Sequence, residues 1–104
     1  MGSGRRIVAA MSLLDDAKID SALAQLDWQR DGNALVKVVK RGSFSRALAY
    51  VNEVGNLAEQ SDHHPDIDIR WDTVTLRLST HSVGGLTTKD VDLATAIDAL
   101  AAGA

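Results

Sequence analysis

The feature that most constrains the fold is a strict alternation of apolar and polar residues over positions 73–79. Val74, Leu76 and Leu78 share one face of an extended segment, and the side chains between them are polar. A period of two predicts a β-strand with one buried and one solvated face. Such a strand needs neighbouring strands and a covering layer, so we expect an antiparallel sheet with helices on one side.

A second alternating segment precedes this strand and predicts its hairpin partner. Ile67, Ile69 and Trp71 fall on one face, which makes all three candidates for the core. The tight turn between the two strands is expected at Asp72-Thr73.

Another hairpin is predicted earlier in the chain. Trp28 is expected to open its first strand and to be a core or interface aromatic, and the valine-rich segment 34–40 is expected to form the second strand. Between them, Asp31-Gly32-Asn33 is a strong turn signal, because glycine and asparagine tolerate positive φ.

The first of three helices is predicted from Ser12 to about Gln25. Ser12 and Asp15 have the spacing of a capping box, in which each side chain accepts a hydrogen bond from the backbone N–H of the other residue. An apolar stripe with helical spacing follows at Ile19, Ala22, Leu23 and Leu26.

A longer helix is predicted after Ser43, whose hydroxyl is a good N-cap. It should end near Gln60, because Pro65 prevents a helix from continuing past His64. The side chains expected to face the core are Phe44, Ala47, Leu48, Val51 and Val54.

The last helix is predicted from Thr87 to about Ala101. Asp90 lies three residues after Thr87 and completes a capping box with it. The inward positions are Val91, Ala94 (or Thr95) and Ile97.

These elements follow one another in the order α-β-β-α-β-β-α. The order predicts a single α+β domain with a four-stranded antiparallel sheet and helices packed on one face. Residues 12–104 are assigned to this domain, in keeping with a chain of 104 residues of which 45% are apolar. Residues 1–11 are interpreted as a tag or a disordered N-terminus and are left outside the fold.

Charge and composition argue against several classes of partner. The chain has 11 Lys and Arg residues against 14 Asp and Glu, so no direct nucleic-acid partner is expected. The small basic group of Lys37, Lys40 and Arg41 is interpreted as a solvated strand edge. No apolar run approaches the roughly 18 residues of a membrane span, and a chain without cysteine fits a cytoplasmic location.

All three histidines lie between positions 63 and 81, and acidic residues stand near them. Histidine exchanges protons near neutral pH, so the group predicts either proton transfer or a metal site. His63 and His64 follow a helix and His81 ends a strand, and such rims can display catalytic groups together. Because adjacent side chains of extended backbone point apart and no His-Glu-x-x-His spacing occurs, we predict no metal.

Each of these residues also has a structural interpretation. Histidines that follow a helix can interact with its dipole, and Glu59 near a helix end is typical of a solvated side chain. Asp90 belongs to a capping box whatever else it does, and Trp71 in phase with two isoleucines is most simply a core residue.

The residues taken together resemble the signature of the pterin-4a-carbinolamine dehydratase family, also known as the dimerisation cofactor of hepatocyte nuclear factor. The matching elements keep the family's intervals along residues 12–101: Glu59, His63-His64-Pro65, Trp71, Ser79-Thr80-His81, Gly85-Leu86-Thr87 and Asp90. The family's α+β architecture agrees with the element order above. The chain departs from the family where Leu35, Val36 and Val38 replace aromatic residues and where Ile67 replaces a tryptophan, which concerns substrate affinity more than reaction type.

The resemblance implies a lyase that dehydrates a 4a-hydroxytetrahydropterin to the quinonoid dihydropterin, without a metal or a cofactor. Such a reaction needs one histidine as acid and one as base. His63 and His81 are expected in these two roles, His64 is expected to hold substrate and share in proton transfer, and Glu59 and Asp90 are expected to support histidines, Asp90 acting on His81. Implied substrate-binding residues are Pro65, Trp71, Ser79 and Thr80.

The implied partners are a pterin, a second copy of the chain in a homodimer or homotetramer, and a functional link to an aromatic amino-acid hydroxylase, whose tetrahydrobiopterin cofactor would be recycled. Two alternatives stay open. Family members also stabilise the dimerisation helices of a transcription factor, which would need an apolar helix surface and no histidines. A role in molybdopterin-related pterin metabolism is the other.

Overall fold

The computed structural model describes residues 12–100, and the predicted order of elements is confirmed there. Helices α1 (Asp16–Leu23), α2 (Phe44–Ser61) and α3 (Thr88–Asp98) alternate with strands β1 (Gln29–Asp31), β2 (Ala34–Lys40), β3 (Asp66–Arg70) and β4 (Thr73–Leu78), and a 3₁₀ turn covers His81–Val83. The interpretation of residues 1–11 and the last four residues of the predicted domain lie outside the described residues.

The strands form one antiparallel sheet in the order β1-β2-β4-β3, which gives the predicted α+β fold. The β1–β2 hairpin turns at Gly32-Asn33, where Gly32 has a φ of +58°. The alternation in β4 has the predicted effect, since Val74, Leu76 and Leu78 are fully buried under the helices. The rest of the core comes from every helix, from β2 and from the segments that precede β1 and α3, at Ile19, Trp28, Leu35, Ala47, Tyr50, Val54, Ala58, Leu86, Leu93, Ala94 and Ile97.

The predicted start of the first helix is wrong. Asp15 is the N-cap and accepts a hydrogen bond from the backbone N–H of Lys18, so Ser12 takes no part in a capping box. The residues before Asp15 lie beside the loop that precedes α3, and the Leu14 N–H donates to the Leu86 carbonyl of that loop at 2.8 Å. This tertiary hydrogen bond keeps the segment extended.

Helix α2 begins at its predicted cap, and the predicted core positions Ala47 and Val54 are fully buried, with Val51 packed against the core. The other two predicted positions are not buried. Phe44 and Leu48 are 46% and 42% exposed, whereas Tyr50 and Ala58, which were not predicted, are buried. The apolar residues of this helix occupy a wider arc than the sheet covers. Phe44 also belongs to the first turn, where side chains lean toward the helix N-terminus and past the layer beneath.

The β3–β4 turn lies one residue earlier than predicted, and this removes Trp71 from the core. Arg70 pairs with Thr73, so Trp71 and Asp72 form the turn, and Trp71 has a φ of +56° and is 71% exposed. The alternation would direct the Trp71 side chain inward only if strand β3 continued through this residue. Because β3 ends at Arg70, its period of two no longer orients the indole.

Helix α3 has the predicted capping box but ends at Asp98 rather than near Ala101. Trp28 precedes β1 and is buried as a core aromatic, and its indole N–H donates to Asp98 at 2.9 Å. Within residues 12–100, no helix is both long enough and apolar enough to cross a bilayer.

Candidate active site

Two histidines are presented by the end of helix α2. Asp62 adopts the left-handed conformation, with φ 50° and ψ 42°, which a short polar side chain tolerates. The chain then reverses, and the His63 N–H donates to the Ala58 carbonyl at 3.1 Å, in the manner of a Schellman cap. His63, His64 and Pro65 therefore bridge the helix and the first residue of β3.

The third histidine comes from the loop that follows β4. Thr80 and Gly85 exchange backbone hydrogen bonds and close this loop, with Thr80 N–H to Gly85 carbonyl at 2.8 Å. Inside it, His81 begins the 3₁₀ turn, and Gly84 ends it with a φ of +69° that favours glycine. The imidazole of His81 is therefore held at an exposed rim by a closed backbone loop.

The three histidines line one shallow depression of about 360 Å³. The two chain segments meet there because β3 and β4 are hydrogen-bonded neighbours, so the residue before β3 and the residues after β4 share one end of the sheet. The other side chains that line it are Asp62, Pro65, Asp66, Ser79, Thr80, Ser82 and Lys89.

A buried carboxylate stands behind one of the histidines. Asp90 is fully buried, and its Oδ1 lies 2.6 Å from Nε2 of His63, whose side chain is 11% exposed. The other oxygen, Oδ2, accepts from the Thr80 hydroxyl at 2.7 Å and from the Thr87 N–H at 2.9 Å. Because an ionised carboxylate can only accept, Nε2 of His63 is the protonated nitrogen of this pair.

Asp90 therefore supports a different histidine from the one predicted. The expectation was His81, but the Asp90 side chain contacts His63, 27 positions earlier in the chain. The reason is tertiary: the first turn of α3 packs against the end of α2, while the 3₁₀ turn carries His81 outward to an exposed position. The capping role of Asp90, which the sequence predicts, is confirmed.

His64 has a partner of its own. Its Nε2 lies 2.5 Å from Oε2 of Glu59, one turn back on α2, and both side chains are mostly exposed. A contact so open to water contributes little to folding, yet it can still orient the ring. Glu59 and His64 also border a neighbouring groove of about 350 Å³ between α2 and β3, where Gly55 leaves open space.

Not every predicted residue reaches the depression. Pro65, Ser79 and Thr80 line it, but the Ser79 hydroxyl donates to the Asn33 carbonyl and Thr80 is only 3% exposed. Trp71 follows the far end of β3, about 16 Å along the strand from Asp66 at a rise of roughly 3.3 Å per residue.

The sequence interpretation also missed residues that line the site. These residues, none of which was named as a site residue, are Asp62, Asp66, Ser82 and Lys89. The one available signal was adjacency, since each lies beside a residue that was singled out. Within residues 12–100, no three His, Cys, Asp or Glu side chains converge as metal ligands.

Comparison with known proteins identifies the family of this chain. Residues 12–100 match the family described as pterin 4 alpha carbinolamine dehydratase. A protein of Nocardia farcinica, provisionally named as such a dehydratase, is 54% identical over 90 residues, which cover 86% of this chain and 95% of that protein. A similarly named protein of Roseiflexus castenholzii is 54% identical over 88 residues, covering 84% and 95% of the two chains.

Two solved structures share the fold. A crystal structure of a transcriptional coactivator/pterin dehydratase from Brucella melitensis superposes with a TM-score of 0.80 and 30% identity, covering 85% of this chain and 97% of that one. A pterin dehydratase-like protein identified as a RuBisCO assembly factor in the alpha-carboxysome has a TM-score of 0.59 and 24% identity over 76% and 92% of the chains. This second likeness concerns the fold alone. Because the family match spans residues 12–100 and the relatives are similar over nearly their whole length, the chain belongs to the pterin-4a-carbinolamine dehydratase family.

Proposed function

We propose that this protein dehydrates a 4a-hydroxytetrahydropterin to the quinonoid dihydropterin and water, with histidines as acid and base. One observation carries the proposal: three histidines from two separate segments line a single depression, and one of them is backed by a fully buried carboxylate. Hydroxide is a poor leaving group, so the reaction needs a proton delivered to the C4a oxygen while another is removed from N5.

The contact with Asp90 makes His63 the better candidate for the base. Its Nε2–H is engaged by the carboxylate, so in the neutral ring Nδ1 carries the lone pair. When Nδ1 takes the N5 proton, the imidazolium that forms stands against the negative charge of Asp90. A buried carboxylate plays the same part behind the histidine of serine hydrolases.

His81 is then the acid. Its exposed position in the depression, on the segment that follows β4, suits delivery of a proton to the C4a hydroxyl and reloading from solvent. As the C4a–O bond breaks, the hydroxyl leaves as water, and the electron pair of the N5–H bond completes the quinonoid system. One proton has left His81 and one has reached His63, so exchange with water restores both rings.

His64, held by Glu59, is proposed to bind the substrate and to share in proton transfer, with Pro65 and Ser79 as further walls. The volume of about 360 Å³ falls in the usual range for small-molecule sites, roughly 300–1,000 Å³. We leave Trp71 out of the substrate site because its exposed ring lies at the other end of β3.

The physiological setting is also part of the proposal. The product is the form that a reductase returns to a tetrahydropterin, so the enzyme would serve a hydroxylase that uses this cofactor. A homodimer or homotetramer is expected, because β1 and β3 are free edges of the described sheet and such edges pair readily across a two-fold axis. Light scattering after size-exclusion chromatography measures the assembly directly.

The decisive experiment generates the 4a-hydroxytetrahydropterin with a hydroxylase, in buffer containing a chelator, and follows quinonoid dihydropterin by absorbance. Acceleration that survives chelation, together with its loss in both His63→Gln and His81→Gln, supports the proposal. A rate equal to the spontaneous one with correctly folded protein contradicts it.

A second candidate function is binding to a helical partner. Phe44 and Leu48 are 46% and 42% exposed one turn apart on α2, an apolar helix surface of the kind that such a role would use. Replacing both with Glu should abolish partner binding and leave dehydratase kinetics unchanged if this role is separate. Equal loss of both properties would contradict a separate binding face.

A further inference from the structure

The environment of Asp90 contains a threonine whose role differs from the substrate contact that the sequence suggested. Thr80 is 3% exposed, and its hydroxyl lies 2.7 Å from Oδ2 of Asp90 and 2.8 Å from the hydroxyl of Thr87. Both hydrogen bonds are buried, and their lengths are typical of O–H···O hydrogen bonds. The Thr80 hydroxyl is therefore already committed within the protein.

The direction of each hydrogen bond in this cluster is determined by elimination. The Asp90 carboxylate has no hydrogen to donate, so the single hydroxyl hydrogen of Thr80 goes to Oδ2. Thr87 must then donate its own hydroxyl hydrogen to Thr80. The Thr87 oxygen is free to accept, and it does so from the Lys89 N–H at 3.2 Å. The result is a one-way chain from Thr87 through Thr80 to Asp90.

This series of hydrogen bonds matters because it leaves only one oxygen of Asp90 for the His63 ring. Two donors occupy Oδ2, so the His63 ring meets Oδ1 alone, at 2.6 Å. We infer that Thr80 is a positioning residue: by holding the Asp90 carboxylate in one rotation, its hydroxyl keeps His63 in the Nε2–H tautomer with Nδ1 directed to proton transfer.

This inference rests on the proposed function for its kinetic part, but the tautomer is a property of the protein without substrate. Removal of the hydroxyl would leave Oδ2 held by the Thr87 N–H alone, so the carboxylate could rotate away from the ring, and a His63 ring without its acceptor could adopt either tautomer. Histidine tautomers are selected by the hydrogen bond at the other nitrogen, and the loss of an outer partner of this kind reduces activity by about 10- to 100-fold in metal sites.

The test uses Thr80→Val, which keeps the shape of the side chain and removes the hydroxyl, and Thr80→Ser, which restores it. The matched control is Thr73→Val. Thr73 also donates to an aspartate, Asp72, at 3.1 Å, but in the β3–β4 turn at the other end of the sheet. A general effect of losing a threonine–carboxylate hydrogen bond would appear equally in Thr73→Val.

The expected kinetic result is a fall in kcat of about tenfold in Thr80→Val, with KM changed less than twofold, recovery in Thr80→Ser and no change in Thr73→Val. The ¹⁵N shifts of the His63 ring, measured without substrate, should change from one Nε2–H tautomer to a mixture in Thr80→Val only. In Thr80→Cys, whose S–H is a weaker donor, kcat and the ring shifts should be intermediate between those of wild type and Thr80→Val. This variant replaces Thr80→Val in the test if Thr80→Val does not fold.

Unchanged ring shifts in the folded Thr80→Val and Thr80→Cys variants would overturn the inference whatever the enzyme does. A rise in KM without a fall in kcat would also overturn it and return Thr80 to the substrate site. If wild-type protein shows the single tautomer and the Thr80 variants lose it, but no variant accelerates dehydration, the proposed function fails while the positioning role stands.

Discussion

Helix α3 carries an aspartate with several hydrogen-bond donors near each end, and the two clusters have different roles. At its first turn, Asp90 holds two threonine donors and His63 beside the depression lined by the three histidines. At its last residue, Asp98 accepts from the Trp28 indole at 2.9 Å and the Asp27 N–H at 2.8 Å, and pairs with Lys37 at 2.9 Å.

The cluster at Asp98 even adjoins a larger depression, of about 480 Å³, than the one at the histidines. Its cation is a lysine, however, and burial, which lowers the pKa of Lys37, is outweighed by the hydrogen bonds to Asp98 and Asp27, which raise it above 10.5. Such a group stays charged at neutral pH. The Asp98 cluster therefore joins α3 to the first hairpin and offers no proton transfer.

The difference lies in the partner of the carboxylate and not in the size of the cavity. Both aspartates are hydrogen-bonded by groups from distant elements, and both restrain the ends of the same helix. Only Asp90 faces an imidazole, the side chain that exchanges protons near neutral pH.

The largest expected effect tests whether the Asp90 cluster takes part in proton transfer through His63. His63→Gln keeps an N–H donor for Asp90 but removes the exchangeable ring proton, so dehydratase kcat should fall by at least about 100-fold, as for loss of a general base. Melting temperature should change little. Lys37→Met is the counterpart at the other cluster and should keep full kcat per folded molecule. Parallel loss of fold and activity in His63→Gln would instead support a purely structural histidine.

Asp90→Ala should impair both stability and activity. It removes the N3 member of the capping box and the buried acceptor of the Thr87 N–H and of the His63 ring, so unfolding in urea should show a loss of about 3 kcal/mol. A fully stable but inactive variant would mean that the catalytic role of Asp90 exceeds its structural one.

Asp98→Ala should be destabilising without a catalytic effect. The buried indole N–H of Trp28 loses its acceptor and Lys37 keeps only its contacts with Asp27, so we expect a loss of about 2 kcal/mol from urea unfolding. Asp92→Ala, an exposed acidic residue on the same helix, is the control and should change stability by less than about 0.5 kcal/mol. A drop in kcat for Asp98→Ala would break the division between the two clusters.

Alkaline pH should weaken the region around Asp98 selectively. Burial raises the pKa of Tyr50 above 10.0, and the pKa of Lys37 is also raised. The unfolded chain loses these protons at lower pH than the folded one, so stability is fully present below about pH 10 and falls as pH rises through the folded pKa values. Urea unfolding between pH 9 and 11 measures the slope, which Lys37→Met and Tyr50→Phe should each reduce. An unchanged slope in both would contradict this assignment.

The smallest effect is expected at the exposed pair of Glu59 and His64. Since such pairs contribute at most about 1 kcal/mol, Glu59→Gln should reduce kcat/KM by less than about fivefold, and the difference should shrink in high salt. A loss as large as that of His63→Gln would mean that His64 and not His63 carries the base role.

Much of the fold could be predicted from local patterns. Ser43, Thr87 and Asp90 have cap spacing that satisfies the backbone N–H groups at the start of a helix, and the alternation in β4 separates a buried face from a solvated one. Where local signals competed, the prediction failed: Ser12 and Asp15 both suit a helix start, and only the hydrogen bond from Leu14 to Leu86 selects Asp15.

The amino-acid sequence by itself determined the element order, the caps of α2 and α3, and the set of histidines and acids from which the site is built. It did not determine which acid serves which histidine, because contacts between residues such as Asp90 and His63 depend on how α2 and α3 meet. The exposure of Trp71 was decided in the same way, by the residue at which β3 pairing with β4 ends. Local spacing governs hydrogen bonds within a turn, whereas partners that are distant in sequence are chosen only when the packed elements bring their side chains within reach.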